Sequence, residues 1–152
     1  INGLTLSSDT DRGRLQAYRS LAIAKTADLS FGRIQLPTSG SSTISLDAAT
    51  GSRTVTGLAF GYPTPAATRA AFNITGEGGQ QVSLSVPPTI TLSGPSTLTV
   101  NVTDTAPAAP TLSGTLGAGG AYSFTVGGDF TISNTTPPGA YTGVLSVSVD
   151  YN

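Results

Sequence analysis

Histidine, cysteine, methionine and tryptophan are all missing from this chain of 152 residues. Without histidine there is no Ser-His-Asp relay, no imidazole base and no histidine metal ligand. Without cysteine there is no thiolate nucleophile and no cysteine zinc site. A domain of this length does not need disulfides, so their lack leaves an oxidising compartment open. Charge is scarce as well, at 10% of residues and a net −1, which suggests neither nucleic acid nor a membrane surface as partner. No apolar run approaches the ~20 residues of a membrane-spanning helix. Helical periodicity of useful length is also absent.

What remains is a chain with 19 glycines and 10 prolines, rich in Ser and Thr. That texture fits a turn-rich β protein whose polar positions are small and neutral. Ile1 reads as a processed terminus from which a signal peptide has been removed, so secretion is expected. All seven basic residues precede position 70, whereas Glu77, Asp104, Asp129 and Asp150 follow it. Chance on a sparsely charged chain explains this most simply. Attraction between one end of a subunit and the other end of its neighbour is the sharper reading.

The stretch 139–152 organises the rest. Tyr141, Leu145, Val147, Val149 and Tyr151 share one parity, and Ser146, Ser148 and Asp150 take the other. This is an apolar ridge with a polar back, the mark of a half-buried strand. Strand signals recur every ten residues or so over 29–36, 43–46, 53–57, 69–76, 81–86 and 98–103. Residues 122–126 and 130–132, separated by Gly127-Gly128, read as a hairpin. Nine or ten short strands in one domain predict an all-β, Greek-key sandwich.

Residues 1–20 differ. Leu4 and Leu6 alternate briefly, then Asp9-Thr10-Asp11-Arg12-Gly13-Arg14 interrupts. Leu15, Ala17, Leu21 and Ile23 then share a parity broken by Arg19. Such a segment is either a disordered lead-in or a strand meant for another subunit.

Signs of chemistry are few. The acids are scattered, which makes a glycosidase pair a weak proposal, and no G-x-S-x-G elbow occurs. Asp9-x-Asp11-x-Gly13 lacks the later ligands of a calcium loop, and Arg12 and Arg14 would repel the ion. Asn73, Asn101 and Asn134 open N-glycosylation patterns, which are cheap in Thr-rich strands. Tyr18, Tyr62, Tyr122, Tyr141 and Tyr151 could stack on sugars, although core packing is the commoner role and is expected for at least three. The expectation is a protein that is not an enzyme, with no catalytic residues, no cofactor and no metal.

The last strand resembles that of chaperone–usher pilus subunits. It has alternating apolar residues, an aromatic second from the end (Tyr151) and a glycine fourteenth from the end (Gly139). A second resemblance runs through Lys25-Thr26-Ala27-Asp28-Leu29-Ser30-Phe31-Gly32, Arg53-Thr54-Val55-Thr56-Gly57, Phe72-Asn73-Ile74-Thr75-Gly76-Glu77 and Ala140-Tyr141-Thr142-Gly143. These are similar to a secreted alphaproteobacterial domain family of unknown function, itself similar to pilins in length and strand pattern.

The resemblance implies an immunoglobulin-like sandwich over residues 21–152 that lacks one strand. A neighbour's N-terminal extension, within residues 1–20, would supply it. Donor candidates are Leu4, Leu6, Leu15, Ala17 and Tyr18. Gly139, Tyr141, Leu145, Val147, Val149 and Tyr151 would line the acceptor groove and meet the chaperone. Both residues 1–8 and residues 13–20 qualify as donor, and continuity with Leu21 and Ile23 slightly favours the second. The implied partners are further copies in a helical filament, plus a periplasmic chaperone and an outer-membrane usher during assembly. The implied location is the bacterial cell surface. Two departures stand out: there is no pilin-type disulfide, and Asp9 to Arg14 breaks the donor alternation. The alternative expectation is a secreted sandwich that binds carbohydrate or a surface partner.

Overall fold

A computed structural model of the chain describes residues 13–152. Within them are eleven strands and no helix. In chain order these are β1 (Ala22–Ala27), β2 (Arg33–Gln35), β3 (Ser41–Leu46), β4 (Arg53–Val55), β5 (Phe60–Tyr62) and β6 (Ala70–Glu77). There follow β7 (Val82–Ser85), β8 (Thr89–Ser93), β9 (Thr97–Asp104), β10 (Gly119–Ser133) and β11 (Ser148–Tyr151). Every pairing is antiparallel. The expected all-β class is the observed one.

The strands follow the alternation of their residues. In β3, Ser42, Ile44 and Leu46 are buried while Ser41, Thr43 and Ser45 face outward or sit half-covered. In β6, Ala70, Phe72 and Ile74 point inward. Turns fall where side chains can cap them. Asp47 Oδ1 accepts from the Ala49 and Thr50 amides at 2.7 and 3.2 Å, and Gly51 closes that turn at φ 77°.

One strand is central, and it corrects the expected hairpin at Gly127-Gly128. Residues 119–133 run as the single strand β10. Its first half pairs with β6 and its second half with β3, while β9 overlaps it from Val126 to Asp129. The two glycines sit where it changes partners. A Cβ on Gly127 would lie 2.2 Å from the Leu46 carbonyl oxygen, and one on Gly128 would lie 2.5 Å from that of Asn101. Their smallness serves close backbone approach, not a turn.

Seven strands thus form one sheet, ordered β1-β6-β10-β3-β4 with β8-β9 attached through β9. The pairs β11-β7 and β2-β5 stand apart from it. Strands β1, β5 and β8 are additional to the segments that alternation picked out.

The core has two parts. One gathers Phe72, Ile74, Val82, Leu112, Phe124 and Val126, with the Phe72 and Phe124 rings stacked 5.3 Å apart. The other gathers Ile44, Ile90, Val100, Phe130 and Ile132. Leu29, Val102 and Leu145 pack against both. Each fully buried aliphatic side chain here is worth about 1.5–3 kcal/mol.

Candidate functional site: an apolar groove and a clasp

The stretch 139–152 keeps its parity but not its pairing. Tyr141, Leu145, Val147, Val149 and Tyr151 are half-buried, and Ser146, Ser148 and Asp150 are exposed. Only β11, its last part, is hydrogen-bonded as a strand, to β7. Further up, Thr142 exchanges two backbone hydrogen bonds with Ser93, at 2.7 and 2.9 Å. Residues 143–147 lie between these two anchors and make no backbone hydrogen bond within the described residues. Val144 is 78% exposed.

Residues 29–36 form the facing wall. Ser30 bridges to Thr68, and β2 pairs with β5. Arg53 bolts this wall in place: Nη1 donates to the Phe31 carbonyl at 2.8 Å and Nη2 to that of Tyr62 at 2.6 Å. Gly32 and Gly61 leave room for the guanidinium, since a Cβ on either would lie 2.7 Å from it.

Between the walls opens a groove of about 1120 Å³. Phe72, Ile90, Phe130 and Ile132 line it from the buried core. Phe31 stands edge-on to Phe130, with centroids 4.8 Å apart. The charged residues along it are Lys25 and Asp28, which pair with each other. Among the described residues, no three His, Cys, Asp or Glu side chains gather as a metal site. The groove offers burial and backbone edges.

A polar clasp sits at the Tyr151 end of the same stretch. Glu77 is only 3% exposed. Its Oε1 accepts from the Arg19 amide at 3.2 Å and from Arg19 Nη1 at 3.0 Å, while Oε2 accepts from the Gly117 amide at 2.5 Å. Tyr151 completes it: its hydroxyl donates to the Arg19 carbonyl at 2.5 Å and accepts from the Glu77 amide at 2.8 Å. The Tyr18 ring packs on that of Tyr151 at 5.1 Å. Arg19 and Tyr151 therefore meet at Glu77, Arg19 on its carboxylate and Tyr151 on its backbone amide.

The Gly117 amide, followed by the Arg19 amide and guanidinium, holds the Glu77 carboxyl below its ordinary value of 4.5, outweighing burial. A depressed folded-state value favours the ionised form in the fold. The resulting stability is full above about pH 4.5 and is lost as pH falls through the lower folded value. Glu77→Gln should flatten the acid side of a plot of melting temperature against pH. An unchanged slope would mean that other carboxylates set it.

The expected acceptor residues divide. Gly139, Tyr141 and Leu145 line the groove, whereas Val147, Val149 and Tyr151 pack on the first core cluster. Gly139 needs to be glycine: its φ is 150°, and a Cβ would lie 2.5 Å from Pro95. Of the donor candidates, Leu15 is 89% exposed, Ala17 is exposed and Tyr18 lies against Tyr151. Leu4 and Leu6 lie outside the described residues. Tyr122 and Tyr151 pack against the core, Tyr62 and Tyr141 are half-buried, and Tyr18 is exposed, so two tyrosines rather than three join the core. Sequence reasoning missed Phe31, Ile34 and Arg53 in the wall and Arg19 with Glu77 in the clasp. The signal for Glu77 was its standing as the one glutamate in the chain.

No curated protein and no solved structure matches this chain. A family model described as "Domain of unknown function (DUF4402)" matches residues 21–151. That span takes in both walls of the groove, Arg53, Glu77 and Tyr151. The chain belongs to this family, the domain of unknown function DUF4402.

Proposed function

We propose that the chain is a structural subunit of an extracellular bacterial filament, an immunoglobulin-like sandwich that lacks one strand and receives it from a neighbour. The groove is the observation that carries this reading. Monomeric proteins rarely leave large continuous apolar surfaces in water, and those that do use them for binding. Here the apolar trough runs beside residues 143–145, and residues 143–147 make no backbone hydrogen bond among the described residues. A strand laid along it would gain a hydrogen-bonded edge and bury alternate side chains among Phe31, Ile34, Phe130 and Leu145.

Donation in which one subunit's extension fills the next subunit's groove is head-to-tail. It does not close on itself, so it propagates as a fibre. An open groove is also an aggregation hazard, which is why the reading includes a chaperone and an usher on the route through the periplasm. Enzymatic activity has no part in it.

The test is an SDS gel of heated and unheated native protein, paired with negative-stain electron microscopy. A ladder that collapses to one band only on boiling, together with thin fibres, is expected. A single band and no fibres, from protein whose N-terminus is intact by mass spectrometry, would sink the proposal. Deleting residues 1–20 should abolish the ladder and leave a sticky, poorly cooperative domain. A soluble, cooperative monomer after that deletion would point instead to a complete sandwich acting as a binding module.

A further inference from the structure

We infer that the donated strand is residues 1–8, with Leu4 and Leu6 entering the neighbour's groove, and that Tyr18 and Arg19 stay on their own subunit as the post from which the donor leaves. This rests on the filament reading above. It reverses the preference for residues 13–20 that continuity with Leu21 and Ile23 suggested.

The first reason is that Arg19 is already engaged. Its amide, both terminal nitrogens and its carbonyl are bonded to Glu77, Gly117 and Tyr151. Donating residues 13–20 would pull Arg19 away and leave a buried carboxylate without its cation, a costly state. Keeping Arg19 in place costs nothing and gives the extension a fixed exit.

The second reason is charge on the inward face. If Leu15 and Ala17 faced into a groove, Arg19 would share their parity and face in as well. A guanidinium among Phe31, Phe130 and Ile132 would be desolvated without a partner. No side chain in residues 1–8 is charged, and the positions in step with Leu4 and Leu6 are Asn2 and Ser8.

The third reason is reach. An extended chain rises about 3.3 Å per residue, so Leu15 can lie no more than ~10 Å from Tyr18, whereas Leu6 can lie ~40 Å away. The run 143–147, unpaired among the described residues, alone spans ~16 Å on the same measure. With Tyr18 held by the clasp, Leu15 stays within ~10 Å of its own subunit's post, while residues 1–8 are long enough to match the whole run. Residues 9–14, with two aspartates and two arginines, then cross the gap between bodies, where charge is solvated.

The experiment compares full-length Leu6→Arg and Leu15→Arg by the heat-sensitive ladder and by electron microscopy. Leu6→Arg should cut polymer at least about tenfold and Leu15→Arg should leave it near normal, as expected when one anchor dominates an interface. A melting curve for each variant separates failed donation from failed folding. Synthetic residues 1–8, added during assembly, should slow polymerisation, and synthetic residues 13–20 should not. The opposite pattern, or equal effects of the two substitutions, would overturn the assignment and leave the filament reading standing. No ladder from the unaltered chain, or native mass spectra with a lipid in place of a neighbour, would overturn both.

Discussion

Gly127→Val should be strongly destabilising. The new Cβ would fall 2.2 Å from the Leu46 carbonyl oxygen and 2.8 Å from the Ala48 amide nitrogen, both of them backbone atoms. Neither can yield easily. Leu46 is fully buried and pairs in register with Gly128, and Ala48 is buried as well. Moving β10 away from β3 would break the change of partners on which the seven-stranded sheet depends. Overpacking alone typically costs 1–3 kcal/mol, and lost pairing brings the expected total to about 3 kcal/mol or more. Against a usual stability of about 5–15 kcal/mol, that is a large share. Urea unfolding followed by circular dichroism would measure it. Gly119→Val is the control: it lies on the same strand, and a Cβ there meets nothing within 4 Å. Equal losses from the two would mean that flexibility, not close approach, is what the glycines supply.

Phe130→Ala is the second large effect, expected at about 3–5 kcal/mol. Phe130 is 6% exposed and belongs to the second core cluster. It also supports Phe31 from below, edge to face. Removing the ring deletes buried apolar surface and takes the support from one wall of the groove. The cavity would open into the groove, so water could enter and little of the loss would be recovered by collapse. Val144→Ala, at the 78% exposed rim, should change stability by no more than about 0.5 kcal/mol. Chemical denaturation reads both. If Phe130→Ala proved as mild as Val144→Ala, the groove floor would not belong to the core.

The two substitutions also mark what could be read before the fold was known. Alternation located β3, β6, β7 and β9, and it assigned the correct face to Tyr141, Leu145, Val147, Val149 and Tyr151. It could not say whether a strand has a partner, because an unpaired edge shows the same parity as a paired one. Residues 143–147 and β11 therefore looked alike. Gly127-Gly128 was misread because glycine serves tight turns and close backbone approach equally well, and only the neighbouring carbonyl decides between them. Strand β8 has a clear T-I-T-L-S alternation, but it is hemmed in by Pro87-Pro88 and Gly94-Pro95, which mark loops. The groove depends on bringing residues 29–36 beside 136–145, and the clasp joins Arg19 to Glu77 across 58 positions. No local pattern encodes either.

The central place of β10 has a consequence in time. Its partners β3 and β6 precede it by long stretches: Thr43 meets Thr131 across 88 positions, and Asn73 meets Ser123 across 50. During synthesis both must wait for residues 119–133, holding Ile44, Phe72 and Ile74 without their eventual cover. Loop closure over such separations is lost entropy before any contact repays it, so folding should be slow for the chain's size. The nascent chain is most open to wrong association in that interval. Its greatest exposure therefore falls during synthesis, before residues 119–133 have emerged.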